Sequence, residues 1–160
     1  MADAPFRAAV IAVSTSKAGG AGKDESGPRL EALLAGAGLD VVAVELIPDE
    51  RDLIAGRLRF YSDEDACDLI ATTGGTGLSP DDLTPEATRD VIDREAPGIA
   101  EAMRLASREH VPDYWMLSRG VAGSRGRTLI INFPGNPNAI EQAGAAITPS
   151  LGHALGLLRR

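Results

Sequence analysis

The sequence predicts an α/β domain of three layers, α-β-α, with a mostly parallel central sheet. Three observations carry this prediction. Aliphatic and β-branched runs of strand length recur along the chain: RAAVIAV at 7–13, VVAVELI at 41–47, DLIATT at 68–73 and TLIIN at 128–132. The first three are separated by helical segments, and parallel neighbours need a crossover of about a dozen residues or more. Each run ends in a loop rich in glycine, proline or hydroxyl residues.

The first run closes on Ser14, Thr15 and Ser16 and passes into AGGAGK, which predicts a long mobile loop over 14–26. Gly27 and Pro28 open a helix through Leu30, Leu33 and Leu34, and Gly36 and Gly38 end it. The second strand stops at Pro48, which cannot donate to a ladder, and Asp49 follows directly. Leu53, Ile54, Leu58 and Tyr61 stand at helical spacing in the next segment, an amphipathic crossover helix. The third strand breaks into Gly74, Gly75 and Gly77. Thr84, Pro85 and Glu86 then form a helix start, with a capping hydroxyl, a proline at the first helical position and an acid in the first turn. That helix is expected to reach about Arg94, and a second to span 99–110. The segment 114–126 reads as irregular or short strand. After the strand at 128–132 comes PGNPN, then helices at about 138–147 and 149–158, the latter capped by Thr148.

With 160 residues the chain is long enough for one domain, 1–160, that buries about 70% of the surface its unfolded chain exposes. Hydrophobic residues at 44% and charged residues at 24% are ordinary globular proportions, and no apolar run approaches the roughly 20 residues of a membrane span. MADAPFR lacks the basic and apolar regions of a secretory signal, so a cytoplasmic location is expected. Net charge is −7 and no basic stripe with interleaved aromatics is present, which argues against nucleic acid as a partner. Cys67, the one cysteine, reads as a small buried residue at the start of a strand.

In an open parallel sheet the carboxyl ends of the strands share one edge, and ligands bind outside it where strand order reverses. Four loops are thereby expected on one rim: 14–26, Pro48 to Glu50, Gly74 to Asp82, and Pro134 to Asn138. The glycines of GGTG leave backbone amides open to an anion. Asp81 and Asp82 would repel a phosphate unless a divalent cation lay between, so amides beside acids point to a metal-nucleotide site. Asp49 is a further candidate ligand, although an Asp after a proline also makes a good helix cap. Arg119 suits either a phosphate or a surface acid.

Common phosphate and hydrolase motifs do not fit. A GxxxxGK[ST] loop around Gly22 and Lys23 would place its first glycine at Lys17 and its hydroxyl at Asp24. Gly75-Thr76-Gly77 would need glycine or alanine at Pro80 to be a dinucleotide fingerprint. His110 and His153 are far apart and one cysteine cannot complete a zinc cluster. Ala122-Gly123-Ser124-Arg125-Gly126 lacks the first glycine of GxSxG.

With TTGGTGLSPDDLTPEAT (72–88) and INFPGNPNAI (131–140) in place, the chain resembles the molybdopterin-binding family of molybdenum cofactor biosynthesis, above all its Mog-type adenylyltransferases. DESGP (24–28), IPDE (47–50), DREAPG (93–98) and LSR (117–119) extend the resemblance over nearly the whole chain. It implies a molybdopterin-binding-domain fold and a homotrimer. The implied reaction is Mg²⁺-dependent transfer of AMP from ATP to molybdopterin, with pyrophosphate released and the product passed to a molybdate-inserting enzyme. By position it implies Asp82 and Asp49 as catalytic and metal-binding residues. Gly74, Gly75, Thr76 and Gly77 would line the nucleotide and pterin phosphate pocket, with Ser14, Ser26 and Arg119 beside it. Ser118, Pro134, Gly135, Asn136 and Asn138 would hold the pterin side. The chain departs from the family at Thr15, where an aspartate or asparagine is frequent, and at Asp81, where arginine is frequent. Thr15 brings no charge, and Asp24 is the acid that could replace it if the loop folds back. A non-catalytic molybdopterin-binding protein of the same fold is the alternative reading.

Overall fold

A computed structural model describes residues 4–160. The first three residues of the segment read above for a secretory signal lie outside it. The strands are β1 (Arg7–Val13), β2 (Asp40–Ile47), β3 (Leu69–Thr73), β4 (Arg94–Glu95), β5 (Ala122–Arg125) and β6 (Thr128–Phe133). They form one sheet in the order β2-β1-β3-β6-β5-β4. β2, β1, β3 and β6 run parallel, while β5 is antiparallel to both β6 and β4.

Successive residues of a strand point to opposite faces, and the two cores divide accordingly. Ala8, Val10, Leu69, Ala71, Leu129 and Ile131 meet helices α2 (Ser26–Gly36), α5 (Pro97–Ala106) and α6 (Pro137–Leu158) on one face. Ala9, Ile11, Val13, Ile70 and Ile130 meet α3 (Arg51–Arg59) and α4 (Thr84–Arg89) on the other. This is the expected three-layer arrangement. β1, β3 and β6 are apolar on both faces because both are covered. Among the described residues no helix is long and apolar enough to cross a membrane. Cys67 is 2% exposed in the second core. Burial first, and then the charge of Asp65, pushes its thiol up to about 12.

Several boundaries differ from the sequence expectation. The loop expected to be mobile over 14–26 contains a single turn, α1 (Thr15–Ala18), where Ser14 Oγ caps by accepting from Lys17 N–H. The helix expected to reach Arg94 ends at Arg89, because the backbone beyond it pairs with β5. Asp93 N–H donates to Ser124 at 2.7 Å and Ala96 N–H to Ala122 at 2.8 Å. The helix after it stops at Ala106 rather than His110. Thr84 is buried and its hydroxyl donates to the Gly74 carbonyl at 3.0 Å, so it does not cap α4.

The two C-terminal helices are one, and Thr148 caps nothing, since α6 runs through Pro149. Proline in a helix interior removes one bond, to the carbonyl four residues back. Here that is Ala145, and both residues lie on the exposed face where water can satisfy the carbonyl. The buried stripe Ile140, Ala143, Ile147, Leu151 and Leu155 continues unbroken beneath, so tertiary packing overrides the local signal.

Candidate functional site

The C-terminal ends of β1, β2, β3 and β6 lie on one edge, and strand order reverses between β1 and β3, whose neighbours β2 and β6 lie to either side. The four predicted loops therefore meet. Gly74, with φ of 94°, packs directly on β1, and a Cβ there would lie 2.4 Å from the Val13 carbonyl oxygen. A Cβ on Gly135 would lie 3.2 Å from the Gly74 Cα. Hydrogen bonds close the seam: Thr73 Oγ1 donates to Pro134 O at 2.8 Å and Ser26 Oγ to Gly135 O at 2.7 Å.

Asp49 is held by the residue that departs from the family pattern. Thr15 donates to Asp49 Oδ2 through its N–H at 2.7 Å and its hydroxyl at 2.9 Å, and that hydroxyl accepts from Asp49 N–H at 2.9 Å. The second oxygen, Oδ1, faces Gly75, 3.2 Å from where a Cβ would stand. Thr15 thus orients a carboxylate instead of supplying one. Asp24 does not replace it, because its Oδ1 accepts from the N–H groups of Ser26 and Gly27 at 3.1 and 3.3 Å, at the start of α2.

Asp82 closes the glycine loop. Its Oδ2 accepts from Ser79 N–H at 3.0 Å and sits 2.8 Å from the place a Gly77 Cβ would take. Between the two carboxylates, the N–H groups of Gly75, Thr76 and Gly77 donate to no protein acceptor among the described residues, although Thr76 is only 6% exposed. Unpaired amides in a protected turn are donors awaiting an anion. Asp81 is exposed and joins none of these bonds.

Arg119, expected to suit either a phosphate or an acid, has an acid as one of its protein partners. Its Nε donates to Gly77 O at 2.7 Å, its Nη2 to Asp82 O at 2.8 Å, and its Nη1 to Glu86 Oε1. The guanidinium is a brace across the glycine loop. The hydrogen bond from Arg119, and after it the charge of the guanidinium, hold the Glu86 carboxyl below the usual glutamate range. The pairing therefore stabilises the fold above the unfolded-state pKa of Glu86 and is lost as pH falls through the lower folded-state value. Arg119→Gln should destabilise the protein by about 1.5–3 kcal/mol, the range for hydrogen bonds to charged groups. Equal denaturation midpoints for variant and wild type would show the brace idle.

Three other predicted contacts also serve the scaffold. Ser26 is tied to Gly135 as above, Asn136 Oδ1 accepts from Asn138 N–H at 2.9 Å to cap α6, and Asn138 Oδ1 accepts from Arg29 at 3.2 Å. Ser118 is on a different side from Ser14. It lines a pocket with Pro134, Arg104 and Trp115, whereas Ser14, Ser26, Gly74 and Gly135 line a cleft of about 500 Å³.

Sequence reasoning missed the support beneath the loop. Asn132, buried in β6, donates to Thr72 and Thr88 at 3.0 and 2.9 Å and accepts from Val121 N–H at 3.1 Å. Thr88 donates to Thr84 O at 2.8 Å, and Thr84 to Gly74 O. A polar residue ending an apolar strand was the available signal, since a buried amide must find partners.

Among the described residues there is no group of three or more His, Cys, Asp or Glu placed to hold a metal. Asp49 and Asp82 suit a cation that arrives on phosphate oxygens and keeps water, as Mg²⁺ does with one or two carboxylates.

The family described as "Probable molybdopterin binding domain" matches residues 9–153. The molybdopterin adenylyltransferase of Helicobacter pylori (strain J99) is 39% identical over 151 residues, covering 93% of this chain and 85% of that protein. The molybdopterin adenylyltransferase of Escherichia coli (strain K12) is 38% identical over 152 residues, covering 94% and 77%. The crystal structure of the molybdopterin biosynthesis enzyme MoaB from Thermus thermophilus superposes with a TM-score of 0.90 at 47% identity, over 96% of each chain.

Proposed function

The chain belongs to the molybdopterin-binding domain family, and from that membership we propose that it is a molybdopterin adenylyltransferase of molybdenum cofactor biosynthesis. A phosphate oxygen of molybdopterin attacks the α-phosphorus of ATP; the bond from that phosphorus to the bridging oxygen breaks, and pyrophosphate leaves with the electron pair. The observation that carries this reading is the row of unpaired amides at Gly75, Thr76 and Gly77 between Asp49 and Asp82. The amides donate to the nonbridging oxygens of the reacting phosphate, and the brace of Arg119 and Thr84 keeps them in place without rearrangement during the reaction. Asp49 and Asp82 would hold Mg²⁺, which when bound offsets the repulsion between the two phosphate groups. Positioning and charge neutralisation suffice for such a transfer, so no activated nucleophile is required of the protein.

Ser118 and Pro134, which line one pocket with Arg104, are the residues assigned to the pterin side in this reading. A first loop without a carboxylate, with Thr15 in its place, would favour the alternative, a binding protein without catalysis, but the grip of Thr15 on Asp49 weakens that case. Pyrophosphate release from ATP that depends on added molybdopterin tests the proposal; binding of molybdopterin without release would leave only the alternative.

A homotrimer and hand-off to a molybdate-inserting enzyme complete the reading. Large exposed apolar side chains gather on the edge strand β2 (Val42, Val44, Leu46) and over residues 105–117 (Leu105, Tyr114, Met116, Leu117), the kind of surface that assembly covers. Sedimentation equilibrium should give three times the chain mass of 16.7 kDa, and a monomer at micromolar concentration would remove the trimer.

A further inference from the structure

The chain contains sixteen basic residues, of which only two, Lys17 and Lys23, are lysines. All eight ion pairs among the described residues are made by arginines. The two lysines have a different position. Both stand on the loop after β1, both line the cleft of about 500 Å³ that Gly74 and Gly135 bound, and neither ammonium donates to a protein acceptor among the described residues. Lys17 is half-buried, with its Nζ folded over Gly22, 2.9 Å from where a Cβ would be. Asp24, the nearest acid in sequence to Lys23, also lines the cleft, but its Oδ1 accepts from the amides that open α2 and it pairs with neither lysine. Two lysines that form no ion pair among the described residues thus share one cleft with Asp24 and Glu25.

Arginine presents a rigid fork, which here serves fixed braces. Lysine is a compact charge on a flexible stem with three rotatable donors, suited to phosphates that must be gripped and then released. We propose that Lys17 and Lys23 form the polyphosphate subsite of the cleft, holding the β- and γ-phosphates of ATP and the pyrophosphate derived from them. The assignment rests on the adenylyl-transfer reading above for the direction of the nucleotide, with the α-phosphate at the amides of Gly75 to Gly77. When the bond between the α-phosphorus and the bridging oxygen breaks, that oxygen keeps the electron pair. The new negative charge then falls on the group the two ammoniums hold. No proton need move, because both lysines begin and end the step as cations.

The test compares wild type with Lys17→Gln, Lys23→Gln and the double variant by calorimetric titration with ATP, AMP and pyrophosphate, each with Mg²⁺ present. Each substitution should weaken ATP and pyrophosphate about tenfold, the order of one charge-assisted hydrogen bond, and leave AMP within about twofold. Acetylation by an amine-reactive ester, read by peptide mass spectrometry, should be blocked at both lysines by ATP and not by AMP. Unchanged ATP affinity in the double variant, or an equal loss for ATP and AMP, overturns the subsite while leaving adenylyl transfer standing. Lysine-dependent pyrophosphate binding by a wild type that does not bind ATP would keep the subsite and sink the adenylyl reading. A wild type that binds none of the three overturns both.

Discussion

Asp82→Asn should lower molybdopterin-dependent pyrophosphate release by at least about 10²-fold, the scale on which a single electrostatic contact to a reacting group counts. The substitution isolates charge. Asparagine has the same shape, and its carbonyl oxygen can accept the Ser79 N–H that Asp82 Oδ2 now accepts, so the loop beneath Gly77 keeps its closure. What disappears is the negative charge offered to a phosphate-borne cation. Molybdopterin affinity should survive, and so should the melting temperature. Asp81→Asn is the matched control: that carboxylate is exposed and joins no bond of the site, so its removal should leave the rate near wild type. A purified Asp82→Asn protein turning over at the wild-type rate with Mg²⁺ present would refute the role assigned to it.

Gly74→Ala is expected to be as damaging to activity and, unlike Asp82→Asn, to cost stability as well. Gly74 has φ of 94°, which an L side chain resists, and its Cβ would stand 2.4 Å from the carbonyl oxygen of Val13. That oxygen belongs to the last residue of β1, a strand paired on both sides, and as backbone it cannot swing aside as a side chain would. Relief must come from the glycine loop, which would carry the amides of Gly75 to Gly77 and the Asp82 carboxylate out of register with Asp49. Strain of this kind costs about 1–3 kcal/mol, and the clash adds to it. Gly126→Ala separates the two effects. Its φ is 53° but nothing lies within 4 Å of the new methyl, so only the backbone term applies and the site, in a different loop, is untouched. Chemical denaturation of both variants, with activity measured beside it, checks the difference. Equal losses would mean that close packing on Val13 is unimportant.

The agreement between residues and fold is uneven, for reasons visible in particular elements. β1, β3 and β6 were legible because a buried parallel strand is written locally, as a short aliphatic run, and the half-exposed edge strand β2 because its β-branched run stops at Pro48. β4 was not, because its two residues, Arg94 and Glu95, are exposed and owe their strand geometry to hydrogen bonds with β5. α6 was divided at Pro149 for the opposite reason: a strong local breaker was present, but one lost hydrogen bond on a wet face weighs less than a continuous buried stripe.

The same distinction runs through the site. Its position on the rim, its glycine loop and its candidate acids follow from the sequence alone, since parallel topology places the ends of four strands together whatever the side chains do. The work of individual side chains does not. Arg119 reaches Gly77 across 42 positions, Thr15 reaches Asp49 across 34 and Ser26 reaches Gly135 across 109. Each of these side chains could equally have pointed at a ligand, and no spacing in the chain distinguishes the two uses. Only the folded backbone decides, because a donor is taken by whichever acceptor the packing sets within about 3 Å. By that rule the tertiary structure gave Ser26, Asn138 and Arg119 protein partners, and left the amides of Gly75 to Gly77 and the ammoniums of Lys17 and Lys23 without any among the described residues.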